Sequence, residues 1–111
     1  MEHKNFNIRE RAEGPAGWVD YIEDDGSLSF FSEPEKNGFT ILLGSPQDWD
    51  AHCKTISAEW AIGRRKEIVQ TIIGEMKRRY KTDDVVLEEP WIVVHYKTWL
   101  DPILGILDRH L

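Results

Sequence analysis

The longest regular pattern of apolar and polar positions runs through residues 57–80. Its apolar residues recur at helical spacing, and charged residues occupy the opposite side. The apolar stripe comprises Ala61, Ile68, Val69, Ile72, Ile73, Met76 and Tyr80. Ser57 is a suitable N-cap, and four basic residues at 77–79 and 81 lie where the helix dipole favours cations. A helix of about 23 residues at ~1.5 Å each is about 34 Å long, so the pattern predicts a long central helix, about 58–80, that supports a sheet.

The first half of the chain alternates as β-strands do. Residues 5–11 form a candidate first strand, and an Asp25-Gly26 pair separates two further strand-like runs, 18–23 and 28–33. Such a pair between strands is typical of a type I′ hairpin loop. With Asp25-Gly26 as that loop, Tyr21 faces Phe30 on the predicted core face. The predicted half-wet face carries Trp18, Asp20, Ile22, Phe31 and Glu33.

The remaining segments complete an α+β pattern. Residues 39–43, 85–87 and 91–96 are strand-like, and a short helix opens at Ser45, with a break expected near 55–57. An apolar stripe at Leu100, Ile103, Leu104, Leu107 and Leu111 predicts a C-terminal helix. We therefore expect one domain, residues 1–111, in which an antiparallel meander of about four to five strands carries the central and C-terminal helices on one face.

Charge is distributed unevenly between the two halves of the chain. The net charge is −6; residues 1–50 hold four basic and eleven acidic side chains, whereas residues 51–111 hold ten and nine. An acidic first half argues against nucleic acid and favours a basic protein partner. The N-terminal residues resemble no signal peptide, no run of about 20 apolar residues is present, and Cys53 is the single cysteine. These features predict a cytoplasmic protein that does not enter a membrane.

Catalytic and metal-binding patterns are weak. No two histidines have a metal-ligand spacing, and His52 and Cys53 diverge on a predicted helix, so we expect no metal and no cofactor. No nucleophile elbow or phosphate-binding glycine loop is present, and nothing in the sequence recommends a Cys53/His95 dyad. We assign no catalytic residue.

The acidic hairpin is the remaining candidate site. It places carboxylates around an apolar centre, as protein interfaces commonly do. The predicted partner-binding residues are Trp18, Asp20, Ile22, Glu23, Asp24, Asp25, Phe31 and Glu33. The alternative is that residues 5–11 or the C-terminal helix cover Trp18 and Phe31. If the hairpin binds a partner, reversing the charges of Asp20 and Glu33 together is expected to abolish capture without lowering thermal stability.

The layout resembles small bacterial immunity proteins of polymorphic toxin systems. The resemblance covers residues 17–96: the hairpin WVDYIEDDGSLSF, a short strand, the helical run RKEIVQTI and a final strand. It implies a non-catalytic, acidic, cytosolic protein that blocks a basic toxin, and it carries over no individual residues. Two alternatives stay open, namely a small hydrolase-like enzyme using a cleft carboxylate or histidine, and a self-associating accessory domain. We expect a monomer or a weak homodimer.

Overall fold

A computed structural model describes residues 5–96, which form one six-stranded sheet with helices on one face. The strands are β1 Phe6–Glu13, β2 Ala16–Glu23, β3 Gly26–Glu35, β4 Gly38–Leu42, β5 Val85–Glu88 and β6 Trp91–His95. Their spatial order is β1-β2-β3-β4-β6-β5, and every neighbouring pair is antiparallel. The α+β class is confirmed. The sheet departs from the predicted meander of four to five strands, because β6 lies between β4 and the edge strand β5.

Two α-helices and one 3-10 turn connect β4 to β5. They are α1 Trp49–Thr55, the 3-10 turn Glu59–Ala61 and α2 Arg65–Tyr80. The break near residues 55–57 is present, because α1 ends at Thr55 and Ser57 is left-handed with φ +59°. The predicted C-terminal helix lies outside the described residues.

The predicted helix 58–80 is too long at its start. Ser57 does not cap it, and α2 begins only at Arg65, after Gly63 at φ +76°. The left-handed residues Ser57 and Gly63 bracket the 3-10 turn, an arrangement that lets Trp60 stack on Tyr21 with ring centroids 6.4 Å apart. The helix is thus interrupted where Trp60 contacts the hairpin. The sequence pattern alone does not reveal that contact, because it joins residues far apart in the chain.

The β2–β3 hairpin is displaced by two residues from the predicted register. Tyr21 pairs with Leu28, and Glu23 pairs with Gly26, so the loop is Asp24-Asp25. Neither loop residue has positive φ, which excludes the predicted type I′ turn, and Gly26 instead takes φ +152°. A two-residue displacement returns each side chain to its predicted face, because side chains alternate with a period of two.

The core lies between the sheet and α2. The helix buries its apolar stripe, Ile68, Val69, Ile72, Ile73 and Met76. The sheet contributes alternate side chains from all six strands, among them Ile8, Val19, Ile41, Val85, Ile92 and Val94. One face of the sheet is therefore covered by helices, and the stripe predicted from the sequence is the surface that covers it.

Candidate functional site

The opposite face of the sheet carries no helix of residues 5–96, and we call it the open face. Strand alternation and the observed registers assign to it Asn7, Arg9, Arg11, Glu13, Ala16, Trp18, Asp20, Ile22, Ser27, Ser29, Phe31, Glu33, Glu35, Gly38, Thr40, Leu42, Val86, Glu88, Trp91, Val93 and His95. Val93 is buried but does not belong to the core cluster, in agreement with its place on this face.

Four apolar side chains of the open face form one cross-strand row. Trp18 pairs with Phe31, Phe31 with Leu42, and Leu42 with Trp91, so the row crosses β2, β3, β4 and β6. We call these four residues the apolar row. At about 4.8 Å between strands it is about 14 Å long. Trp18 meets Phe31 edge-to-face at 5.6 Å between centroids, a favoured geometry for aromatic pairs.

Asp20 lies beside the row at the centre of a hydrogen-bond network. Arg11 donates from Nε to Oδ2 at 2.6 Å and from Nη2 to Oδ1 at 2.8 Å. Arg9 donates from Nε to Oδ2 at 3.0 Å, and Ser29 donates its hydroxyl to Oδ1 at 2.7 Å. The Asp20 side chain is 2% exposed, whereas the two arginine side chains are 60% and 40% exposed.

The hydrogen bonds from Arg11, together with those from Ser29 and Arg9, lower the pKa of Asp20 to about 2, although burial acts in the opposite direction. The carboxylate is therefore ionised at neutral pH and its charge is neutralised locally. Asp20 orders the two arginines, and it is not a free acidic contact for a partner.

The open face nevertheless carries an excess of negative charge at its margin. Its described residues include five carboxylates, Glu13, Asp20, Glu33, Glu35 and Glu88, against the guanidinium groups of Arg9 and Arg11. Glu13 accepts a hydrogen bond from the Trp18 indole at 2.6 Å. Glu33, Glu35 and Glu88 are exposed and form no ion pair with a described residue. We call these three residues the acidic rim.

The structure divides the predicted partner-binding residues among three places. Five lie together on the open face, namely Trp18, Asp20, Ile22, Phe31 and Glu33. Asp24 and Asp25 are exposed in the hairpin loop, at the end of that face. Glu23 lies on the helix-covered face and is buried.

Glu23 belongs to a buried ionic cluster. Arg64 donates to its two carboxylate oxygens at 3.0 and 2.6 Å, and the Tyr21 hydroxyl donates to Oε2 at 2.5 Å. Arg64 also donates to Glu67, and its hydrogen bonds to Glu67 and Glu23 raise the pKa of Arg64 above the ordinary value of an arginine. The cluster joins the hairpin to the start of α2. Glu23 therefore makes a structural contact on the helix-covered face and is not part of the open face.

Four open-face residues were missed by the sequence interpretation. Leu42 and Trp91 complete the apolar row, and Arg9 and Arg11 form the network around Asp20. The alternation of β1 does predict the face of the two arginines, because Arg9 and Arg11 lie at odd positions whereas the apolar Ile8 lies at an even position. No local signal places Trp91 beside Leu42, because that contact depends on β6 pairing with β4.

A cavity of about 330 Å³ adjoins the row. It lies where β3 continues past β4, because β3–β4 pairing stops at Phe31 and Leu42. Its walls include Leu28, Phe30, Leu43, Trp49, Cys53 and Ile56. Ser45, Asp48 and His52 supply its ionisable and hydroxyl side chains together with Ser29 and Cys53.

These groups do not form a nucleophilic site. Cys53 is 1% exposed, and desolvation, assisted by Asp50, raises the pKa of its thiol, which disfavours the reactive thiolate. His95 pairs with Gly38 at the far end of β4 from the cavity, so it does not meet Cys53. Within residues 5–96 no group of three His, Cys, Asp or Glu side chains is arranged to hold a metal ion.

In residues 5–96 the fold and the site define an α+β domain with one face covered by helices and a second face, apolar at its centre, that carries no helix of those residues. Within residues 5–96 no helix is both long and apolar enough to cross a bilayer. Comparison with protein-family models, curated proteins and solved structures yields no match to this chain.

Proposed function

We propose that this chain is a non-catalytic protein-binding domain whose open face engages a basic protein partner, in the manner of an immunity protein that neutralises a basic toxin. The observation that carries the proposal is the in-register apolar row, Trp18, Phe31, Leu42 and Trp91, set on a face with excess carboxylates. Protein interfaces commonly combine an aromatic-rich centre with a polar margin.

Two further features support this reading. The Asp20 network fixes Arg9 and Arg11 on a rigid sheet, so binding costs little side-chain ordering there. The acidic rim is exposed, and at physiological salt charges within about 8 Å of each other are only partly screened, so it attracts a basic surface that comes that close.

The test is capture from a lysate of the source organism with the full chain as bait, washed at low and then high salt. The rim variant is Glu33→Lys with Glu88→Lys, because both side chains are exposed and lie on the open face. The matched control is Glu59→Lys with Asp83→Lys, which makes the same change in charge at exposed sites away from that face. Quantitative mass spectrometry compares the proteins retained by each bait.

We expect a basic protein retained by the wild type and by the control, and lost by the rim variant. Retention should weaken at high salt, because exposed charges are screened. Equal retention by the rim variant and the control contradicts the proposal. Asp20 is unsuitable for charge reversal: its side chain is 2% exposed between two arginines, so a lysine there is expected to lower stability.

A specific observation also favours the self-associating alternative. Edge strand β5 exposes Val86 by 44% and Leu87 by 38%, and no described strand pairs with its outer side. Exposed apolar edges readily pair with another chain. Light scattering at two protein concentrations tests this: a mass that doubles at the higher concentration in the wild type, and stays monomeric in Val86→Lys, supports a homodimer through β5.

A further inference from the structure

The cavity beside the apolar row arises from a mismatch in strand length. Residues 26–30 of β3 pair with β2 but have no β4 partner, because the β3–β4 register begins at Phe31 and Leu42. Helix α1 only partly closes this notch: Trp49 stacks on Phe30 with centroids 6.0 Å apart. The remaining space of about 330 Å³ is at the lower end of the range for pockets that take small organic groups.

The cavity is continuous with the apolar row. Phe31 and Leu42 are members of the row and also line the cavity. Its lining includes side chains from both faces of the sheet, for example Leu43 from the helix-covered side and Ser29 from the open side. A partner placed over the row would therefore meet the cavity within the same contact.

The charges around the cavity select the kind of group that fits. Asp48 supplies the one carboxylate among the described lining residues, and no lysine or arginine is among them. Arg65 donates to the carbonyl of the lining residue Gly44 at 2.9 Å, but its guanidinium is itself paired with Glu89 at 2.6 Å. Asp48 Oδ2 accepts a hydrogen bond from the Ser45 hydroxyl at 2.8 Å, and both groups lie on the segment that leads into α1. An apolar body with an adjacent cation is complementary to these walls.

We propose that the cavity receives one large apolar side chain of the partner, aromatic or leucine-like, from a segment in which lysine or arginine flanks that side chain. This inference rests on the proposed function and specifies the partner's contact segment. Deeply inserted apolar groups surrounded by a polar margin carry most of the affinity in many interfaces. In a second copy of this chain the aromatic side chain between two basic residues, Tyr80 between Arg79 and Lys81, already packs on Phe39 and Tyr96 at 5.2 and 4.7 Å between ring centroids, so it is not free to enter the cavity.

The test uses three synthetic peptides, acetyl-Lys-Trp-Lys-amide, acetyl-Lys-Ala-Lys-amide and acetyl-Glu-Trp-Glu-amide, titrated into the ¹⁵N-labelled full chain. We expect the first peptide to shift the amide signals of Ser29, Leu43 and His52 saturably, and the other two to bind at least tenfold more weakly. Equal shifts with all three peptides, or shifts outside the cavity, overturn the proposal.

Two variants connect the shifts to the cavity. Ser45→Phe fills the cavity without changing the charge of the chain. Ile56→Lys places a lysine at the mouth of the cavity, where Ile56 is 44% exposed. Leu87→Lys is the matched control, since Leu87 is 38% exposed on the edge strand and lies outside the cavity lining. Each cavity variant should bind the first peptide at least tenfold more weakly than the wild type does, and the control should bind it with wild-type affinity.

The outcomes separate this inference from the proposed function. If the rim variant loses the captured protein while Ser45→Phe and Ile56→Lys keep it, the open face binds the partner but the cavity receives no side chain. If nuclear Overhauser contacts join Leu28 or Leu43 to Leu104 or Leu107 in the free protein, the chain's own C-terminal segment occupies the cavity, and the inference is overturned.

Discussion

Arg11 binds Asp20 through both carboxylate oxygens, at 2.6 and 2.8 Å, from the neighbouring strand. Asp20 pairs in register with Arg9 and Ser29, so Arg11 reaches it diagonally. This places a buried charge beside the apolar row while satisfying its oxygens, a condition that buried carboxylates require. The pair therefore links the stability of the first two strands to the ionisation of one side chain.

Asp20→Asn should lower the free energy of unfolding at pH 7 by about 2 kcal/mol, because a lowered carboxyl pKa is a stability contribution of about 1.36 kcal/mol per pKa unit. The pKa is about 2 in the folded chain against an ordinary 3.8. The contribution is complete above the unfolded value and disappears as pH falls through the folded value.

The measurement is urea unfolding of the wild type and Asp20→Asn at pH 7, 4 and 3. The difference between them should narrow below about pH 4, where the unfolded carboxyl begins to bind protons. Asp24→Asn, an exposed carboxylate in the hairpin loop, is the control and should change stability little. A difference that stays constant with pH would refute the role given to ionised Asp20.

Glu23→Gln should cost about 2–3 kcal/mol of stability, because it leaves the Arg64 guanidinium poorly paired in a partly dry site. Arg64 is 14% exposed and Glu23 is 3% exposed, whereas the other partner, Glu67, is 55% exposed. Glu67→Gln should cost less than about 1 kcal/mol, as exposed pairs do.

A double-mutant cycle then tests Tyr21 as a third member of this cluster. Burial raises the pKa of Tyr21, and its bond to Glu23 raises it further. Tyr21→Phe and Glu23→Gln should show a coupling of about 1 kcal/mol in urea unfolding. Additive effects would mean that the hydroxyl and the carboxylate act independently.

Gly26→Ala should destabilise the fold by about 2 kcal/mol or more, because it combines an unfavourable φ with a steric conflict. Gly26 has φ +152°, and a Cβ there would lie 2.9 Å from Trp60 Nε1. Gly63 has φ +76° but open space around its Cβ position, so Gly63→Ala reports strain alone and should cost about 1 kcal/mol. Thermal unfolding compares them, and equal losses would exclude a steric contribution from Trp60.

Local alternation was sufficient to predict both faces of the hairpin. The register was wrong by two residues, yet Tyr21 and Phe30 still face the core, because a period of two is unchanged by that displacement. The loop itself was not predictable from the Asp-Gly pair. Gly26 is close to Trp60, a contact across 34 positions of sequence that no local turn rule contains.

The candidate site was predicted only as far as the hairpin reaches. Glu23 is among the predicted surface contacts, although strand alternation places it on the same face as the core residue Tyr21. Its partner Arg64 is 41 positions away in the sequence, so no local pattern predicts that ion pair. Leu42 and Trp91 joined the apolar row through strand order, which is determined by packing of the whole sheet. A single sequence does not predict contacts between residues that are far apart in the chain, and these residues depend on such contacts.

Trp91→Ala should separate binding from folding when compared with Trp49→Ala. Trp91 is half-buried on the open face, whereas Trp49 is 5% exposed in the core and donates its indole N–H to the Ala61 carbonyl at 2.9 Å. Trp49→Ala should therefore cost about 3–5 kcal/mol of stability. Trp91→Ala should cost about 1–2 kcal/mol, since it removes less buried area.

Binding of the captured partner is compared between folded Trp91→Ala and the wild type, because Trp49 lines the cavity and Trp49→Ala would change the proposed contact as well. Loss of a large aromatic anchor costs about 2 kcal/mol or more at many interfaces, so Trp91→Ala should weaken affinity by about 30-fold. Isothermal titration with the partner, at a temperature where urea unfolding shows Trp91→Ala and the wild type folded, measures this. Wild-type affinity in Trp91→Ala would remove the apolar row from the interface, because Trp91 ends the row on β6 and no other described aromatic side chain of the open face could replace its contact there.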